Sequence, residues 1–324
     1  MQKSDFHVLI LLAFAAIGFG CSISTNKWYP RVFAPGGVNV VVPFQIDKNR
    51  CLVDVWVNGK GPFKFLLDTG STIITITPKL AELLQVPKYR CNGVLSTLSK
   101  KVNVDWAAKV AHMRLGNAEI RDMMVGVMKD VVGEKPPDGE PVCGILGYAA
   151  FRDRTWTFDG KRQQFIIHND DSQQVRENLG IPVSMHIRDG IPFIKMSIEG
   201  RKGSPARLVD AIIDTGMDTT IDTDCSVGPS FLLPKSWIPK SEQPQPAGIQ
   251  FQIDTESGSD DMELTLLDGD VKIGSKVFHE PVVGWISSPR NCAIVGMITL
   301  KRWVMVFDPH HETLWIPCDG PSAP

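Results

Sequence analysis

A chain of 324 residues that is 43% hydrophobic and 22% charged is long enough for two domains, each with its own core. Its formal net charge of -2 gives no general pull toward nucleic acid or an anionic surface, so those partner classes are set aside. Many short β-branched runs punctuated by Gly and Pro, with few long helical patterns, predict a fold dominated by strands.

The N-terminus reads as a targeting segment. Lys3 precedes an apolar run from Val8 to Ile17, and Gly18 and Gly20 flank a cleavage point before Cys21. The run is short for a membrane span, which needs roughly 20 apolar residues. Residues 1–20 are therefore expected to be a signal peptide, and the mature chain to be exported to a periplasmic or cell-surface location. Cys21 directly after Gly20 resembles the bacterial lipoprotein signal, in which that cysteine is lipidated and tethers the protein to a membrane. Gly18 stands where a leucine is usual in that signal, so plain secretion is the other reading. Of seven cysteines, six remain if Cys21 is lipidated or removed, an even number compatible with disulfides of open connectivity. There is no C-x-x-C, which argues against a zinc ribbon or thioredoxin-type site.

Residues 21–36 read as a tether. Val38–Phe44 and Cys51–Val57 then read as strands, Asn58–Pro62 as a turn, and Phe63–Leu67 as a strand delivering Asp68 to the tight turn Thr69-Gly70-Ser71. Thr77-Pro78 is a helix start, an N-cap followed by Pro at the first helical position, with Leu80, Leu83 and Leu84 falling on one face. Lys88–Asp105 sets Gly93, Leu95, Ser96, Thr97 and Ser99 among isolated apolar residues and predicts an exposed hairpin. The polar break Asn169–Ser172 divides a first lobe, 37–170, from a second, 171–318, with a tail over 319–324. The second unit starts near Ile181, and Glu199-Gly200 answers Asn58-Gly59. Ala211-Ile212-Ile213 then delivers Asp214 to Thr215-Gly216-Met217-Asp218. Extra length follows in a Pro-, Ser- and Asp-rich stretch from Pro229 to Asp261, read as a solvated insertion or a substrate-facing loop.

The two halves repeat one plan. Ile145-Leu146-Gly147 leads through Trp156–Asp159 to Phe165–Ile167, and Ile294-Val295-Gly296 leads through Met305–Asp308 to Leu314–Ile316. These segments align without a gap at an offset of 149 residues, close to the 146 that separates Asp68 from Asp214. The chain thus reads as a duplication of a unit of roughly 130 residues.

Paired aspartates at such turns suit hydrolysis of a peptide bond. Like charges a few ångströms apart do not both ionise cheaply, so the pair shares one proton, one member activating water and the other polarising the carbonyl. Gly70 and Gly216 carry no Cβ and let the loops approach, while the hydroxyls of Thr69 and Thr215 can bond across the pair.

On these motifs the chain resembles the retropepsin-like (retroviral-type) aspartic proteases, in a fused two-copy form whose overall plan is similar to pepsin. The resemblance spans about Val38 to Pro317. It implies an all-β fold of two homologous acid-protease β-barrel lobes about a pseudo-two-fold axis, no cofactor and no metal. It further implies a peptide or protein substrate, with Asp68 and Asp214 as the catalytic pair and Thr69 and Thr215 as interlocked supports. Ser71 would bond the outer oxygen of Asp68, and the hairpin around Gly93, Leu95, Ser96 and Thr97 would be a flap, with Ala247–Ser257 as its counterpart. Met217 departs from the pattern, standing where a small or hydroxyl residue is usual, and predicts an asymmetric pair. Asp218 is expected to face solvent. Two complete copies in tandem favour a monomer. The rival from another class is a catalytically inactive peptide-binding or scaffold protein of the same fold. His310-His311-Glu312 reads as a solvated turn, and no serine-hydrolase, zinc-protease or nucleotide motif is present.

Overall fold

The computed structural model describes residues 30–33, 38–96, 101–128, 141–169, 180–199, 205–218, 228–237, 249–255, 258–287 and 291–316. The signal segment, Cys21, Thr97, most of the tether and the tail lie outside these residues, as does the polar break beyond Asn169.

The two halves meet in one sheet rather than at a simple boundary. Its strands are ordered Val40–Asp47, Gln164–Ile167, Trp156–Asp159, Val304–Asp308, Thr313–Ile316 and Ile181–Arg188, each antiparallel to its neighbour. The first three come from the first half and the last three from the second. At the seam Trp156 faces Phe307, Thr157 faces Val306 and Phe158 faces Met305. The sequence offset of 149 carries residue 157 onto 306, so the Thr157–Val306 pair lies on the approximate two-fold axis. The rings of Trp156 and Phe307 stack across the seam at 3.8 Å, with Phe44 stacked on Phe158 at 5.1 Å beside it.

Each lobe then repeats a crossed arrangement. Lys60–Asp68 runs parallel to Val142–Gly147, which pairs antiparallel with the short strand Thr75–Ile76, itself parallel to Ala118–Val127. In the second lobe Arg207–Ile213 runs parallel to Ala293–Val295, which meets Phe231–Pro234 antiparallel, and that strand is parallel to Val282–Ile286. Parallel strands covered on both faces need unbroken apolar runs. Phe65-Leu66-Leu67, Ile145-Leu146, Ile212-Ile213 and Ile294-Val295 supply them, and all are buried.

Local signals account for the connections, with corrections. The turn after Val57 is confined to Asn58-Gly59, both with positive φ (49° and 78°), the two-residue hairpin type such a pair favours; the strand resumes at Lys60. The helix spans Pro78–Leu84, and Thr77 caps it by accepting from the Leu80 N–H. Its buried stripe is Leu80, Ala81 and Leu84, while Leu83 is 54% exposed, against the expected face. A two-turn helix buries a narrow strip, and here that strip runs through Ala81 instead.

Two long hairpins rise from the lobes. Lys88–Ser96 pairs with Lys101–Leu115, and Ile249–Thr255 pairs with Gly258–Leu266. The stretch Pro229–Asp261 is thus not merely an insertion: it holds the strand Phe231–Pro234 and most of the second hairpin. The alternation of Ile249, Phe251 and Ile253 is the period-two signal beneath its polar composition.

Leu80→Ala should lower unfolding free energy by about 2–5 kcal/mol, whereas Leu83→Ala should change it by less than about 0.5 kcal/mol. Urea denaturation of both variants measures this; equal losses would contradict the assignment of faces.

Candidate active site

Asp68 ends the strand Lys60–Asp68, and Asp214 directly follows the strand Arg207–Ile213. They are 7% and 9% exposed. The turn after each folds back onto its own carboxylate: the Gly70 N–H donates to Asp68 Oδ1 at 2.8 Å and the Gly216 N–H to Asp214 Oδ1 at 3.0 Å.

The loops touch each other reciprocally. A Cβ added to Gly70 would lie 2.4 Å from Asp214 Oδ2, and one added to Gly216 would lie 2.4 Å from Asp68 Cγ. Each glycine is therefore the floor against which the opposite carboxylate rests, and no larger residue fits there.

The threonines lock this approach. Thr69 Oγ1 donates to the Ile213 carbonyl at 2.5 Å and accepts from the Thr215 N–H at 3.1 Å. Thr215 Oγ1 donates to the Leu67 carbonyl at 2.8 Å and accepts from the Thr69 N–H at 3.1 Å. All four bonds are buried and cross between lobes. Behind the loops, the Tyr148 N–H donates to the Ser71 carbonyl at 2.8 Å and the Met297 N–H to the Met217 carbonyl at 3.0 Å. Gly147 and Gly296 permit this contact, since a Cβ on either would meet the Ile73 carbonyl at 2.3 Å or the Met217 carbonyl at 2.9 Å. Burial pushes the Tyr148 phenol well above its ordinary range and keeps it neutral there.

Three expectations change. Ser71 Oγ donates to the Ile73 carbonyl at 3.3 Å rather than supporting Asp68. Oδ1 of each aspartate is held alike by a glycine N–H, so the asymmetry expected from Met217 does not lie in these two bonds. Met217 instead joins an apolar cluster with Leu232, Met262, Leu264, Ile286 and Ile294, which a hydroxyl residue would leave incomplete. Asp218 does not simply face solvent: it is half-buried and accepts from Asn49 Nδ2 at 3.4 Å. Sequence reading did not single out Asn49, whose one signal is a turn-forming residue between two strands.

Of the flap residues, Gly93, Leu95 and Ser96 lie in the first hairpin opposite Val104, Val102 and Lys101. The second hairpin is its topological counterpart, since Gly258–Leu266 pairs with Val282–Ile286 as Lys101–Leu115 pairs with Ala118–Val127. His311 Nδ1 bonds Asp308 Oδ1 at 2.9 Å and His310 Nε2 bonds the Asp153 carbonyl at 3.1 Å in the turn Pro309–His311. Among the described residues no group of three or more His, Cys, Asp or Glu side chains gathers into a metal-binding set.

Two β lobes sharing a sheet, each presenting an Asp-Thr-Gly turn to the other, define the acid-protease fold. Residues 53–150, which contain the Asp68 strand and Ile145-Leu146-Gly147, match the family described as aspartyl protease. Over nearly the whole chain the fold is similar to conglutin gamma, a basic 7S globulin from lupine seeds (TM-score 0.52, 14% identity, 88% of this chain and 96% of that one). It is also similar to an aspartic proteinase from Irpex lacteus (TM-score 0.50, 14% identity, 86% of this chain and 97% of that one). No curated protein matches the sequence. The first lobe thus carries the sequence signature of the aspartyl proteases, and the chain as a whole has their two-lobe fold.

The threonine lock makes a sharp prediction. Thr215→Val removes one donor and one acceptor and leaves the Leu67 carbonyl and Thr69 N–H buried without them, a loss of about 2–5 kcal/mol. Thr215→Ser keeps the hydroxyl and should stay within about 1.5 kcal/mol of the parent. Chemical denaturation that ranked the two variants equally would refute this role.

Proposed function

We propose that this chain is an aspartic endopeptidase that hydrolyses peptide bonds with water held between Asp68 and Asp214. The observation that carries the reading is the reciprocal packing of Gly70 and Gly216 on the opposite aspartates, which brings two carboxyl groups to one point. Two carboxylates that close share a proton. The ionised member takes a proton from water as the water oxygen bonds to the scissile carbonyl carbon. The protonated member donates to the carbonyl oxygen, giving a tetrahedral diol. The aspartate that took the water proton passes it to the amide nitrogen, and the C–N bond breaks. A hydroxyl of the diol gives its proton back to the other aspartate as the product carboxyl group forms, which restores the singly protonated pair. No covalent enzyme intermediate is needed, and Thr69 and Thr215 act only by holding the two loops in place.

The hairpins Lys88–Ser96/Lys101–Leu115 and Ile249–Thr255/Gly258–Leu266 would flank an extended peptide. Because both aspartates come from one chain, the site needs no second copy, and we assign the active form as a monomer. The N-terminal signal reading puts that activity outside the cytoplasm, with Cys21 as a tether to a membrane if it is lipidated.

The competing reading is a peptide-binding or scaffold protein without turnover. One specific observation favours it: the fold is similar both to a seed globulin, conglutin gamma, and to an aspartic proteinase. Turnover separates the two.

Protein lacking residues 1–21 should cleave members of a diverse peptide library between pH 3 and 8, and Asp68→Asn or Asp214→Asn should each remove that cleavage. The profile of kcat/KM against pH should be a bell. Below its maximum the second proton binds and no general base is left; above it the shared proton is lost and no acid is left. A statine-type transition-state mimic should block the reaction. An intact fold without cleavage at any pH favours the scaffold, and cleavage surviving both substitutions rules out the paired aspartates.

A further inference from the structure

The Asp214 loop is gripped by the first lobe at a second point, beyond its threonine. Asn49 closes the turn between the strands Val40–Asp47 and Arg50–Val57, is 2% exposed, and has a left-handed backbone with φ of 56°. Its Nδ2 donates to Asp218 Oδ1 at 3.4 Å, and its Oδ1 accepts from Lys301 Nζ at 2.8 Å. The amide's orientation follows from chemistry, since an ammonium only donates and a carboxylate only accepts. An asparagine can satisfy both at once.

Asp218 ends the motif loop that begins at Asp214. Lys301 follows the helix Met297–Leu300, whose first N–H holds the Met217 carbonyl. One first-lobe side chain thus joins the two second-lobe segments that brace Asp214. At the equivalent place in the second lobe the turn residue is Gly190, which lies near Thr72, four residues after Asp68 as Asp218 is after Asp214; a Cβ added there would lie 3.4 Å from Thr72 Cγ2. Gly190 has no side chain with which to bridge to the first loop, whereas a directional polar bridge reaches the second.

We propose that Asn49 is a positioning residue for Asp214. It pins the far end of the Asp214–Asp218 loop to the first lobe and so helps fix where Asp214 stands relative to Asp68. The catalytic consequence rests on the paired-aspartate reading; the positional one does not.

Asn49→Gly tests it, because glycine adopts the left-handed turn without strain and removes only the amide. Turnover of a library-selected peptide should show kcat lower by about tenfold to a hundredfold, with KM within about twofold, since small displacements of a reacting group cost rates of that order. Asn49→Asp should be worse, as it sets a carboxylate against Asp218. Combining Asn49→Asp with Asp218→Asn exchanges the two groups, keeps an acceptor for Lys301 and should restore kcat to within about threefold of the parent. Amide hydrogen exchange at Thr215–Asp218 gives a readout independent of turnover: faster in Asn49→Gly, and returned toward the parent by the exchanged pair. Unchanged exchange and kcat in Asn49→Gly, or an exchanged pair no better than Asn49→Asp alone, overturns the proposal. Loss of kcat in Asn49→Gly alongside full activity in Asp68→Asn would instead remove the paired-aspartate reading, leaving the exchange measurement to decide the positional claim.

Discussion

Everything at the centre of this molecule depends on two short loops being held face to face without a gap. Four buried hydrogen bonds between Thr69, Thr215 and the carbonyls of Leu67 and Ile213 hold them. Each bond satisfies a backbone group that would otherwise be stranded, so the lock is expensive to break in any single place. Both lobes contribute equally, so each loop is fastened to the other as well as to its own lobe. The absence of a side chain at Gly70 and Gly216 is the complementary requirement: the bonds pull the loops together, and the glycines let them arrive.

The duplication makes this economical. One crossed arrangement of strands, written twice, delivers an aspartate to the same relative place in each lobe, and the two-fold axis through Thr157 and Val306 brings the copies together. Small departures from symmetry then accumulate where the halves meet other groups. Met217 fills an apolar cluster where Ser71 makes a polar contact, and Asn49 bridges where Gly190 has no side chain to do so. The scaffold is symmetric, but the surroundings of the two aspartates are not.

Much of this could be read from the sequence because the relevant signals are local or repeated. The Asp-Thr-Gly turns, the helix cap at Thr77 and the Asn58-Gly59 hairpin each follow from the chemistry of a few neighbouring residues. What could not be read depends on distant partners. The outward direction of Leu83 is decided by which strip of a two-turn helix meets the core. The bond Ser71 makes is decided by the path of the chain at Ile73. The second hairpin was expected over Ala247–Ser257 only through the family resemblance, and its return strand, with Met262 and Leu264 facing inward, lay hidden among polar residues. Asn49, Asp218 and Lys301 are brought together from positions up to 252 residues apart, a distance at which composition and periodicity carry no information.

The sheet shared between the halves also orders events in time. The strand Trp156–Asp159 has Gln164–Ile167 available almost at once, but its other neighbour, Val304–Asp308, is made only after nearly the whole second half. At typical rates of synthesis, about 5–20 residues per second, that delay is on the order of ten seconds. Throughout it a nascent first half presents an open strand edge next to Trp156 and Phe158, side chains that are fully buried once the partner arrives. Such an edge is a template for mispairing with another chain. A fold that keeps two aspartates in register by sharing its central sheet leaves that edge open until its last strands are in place, and those strands end the exposure.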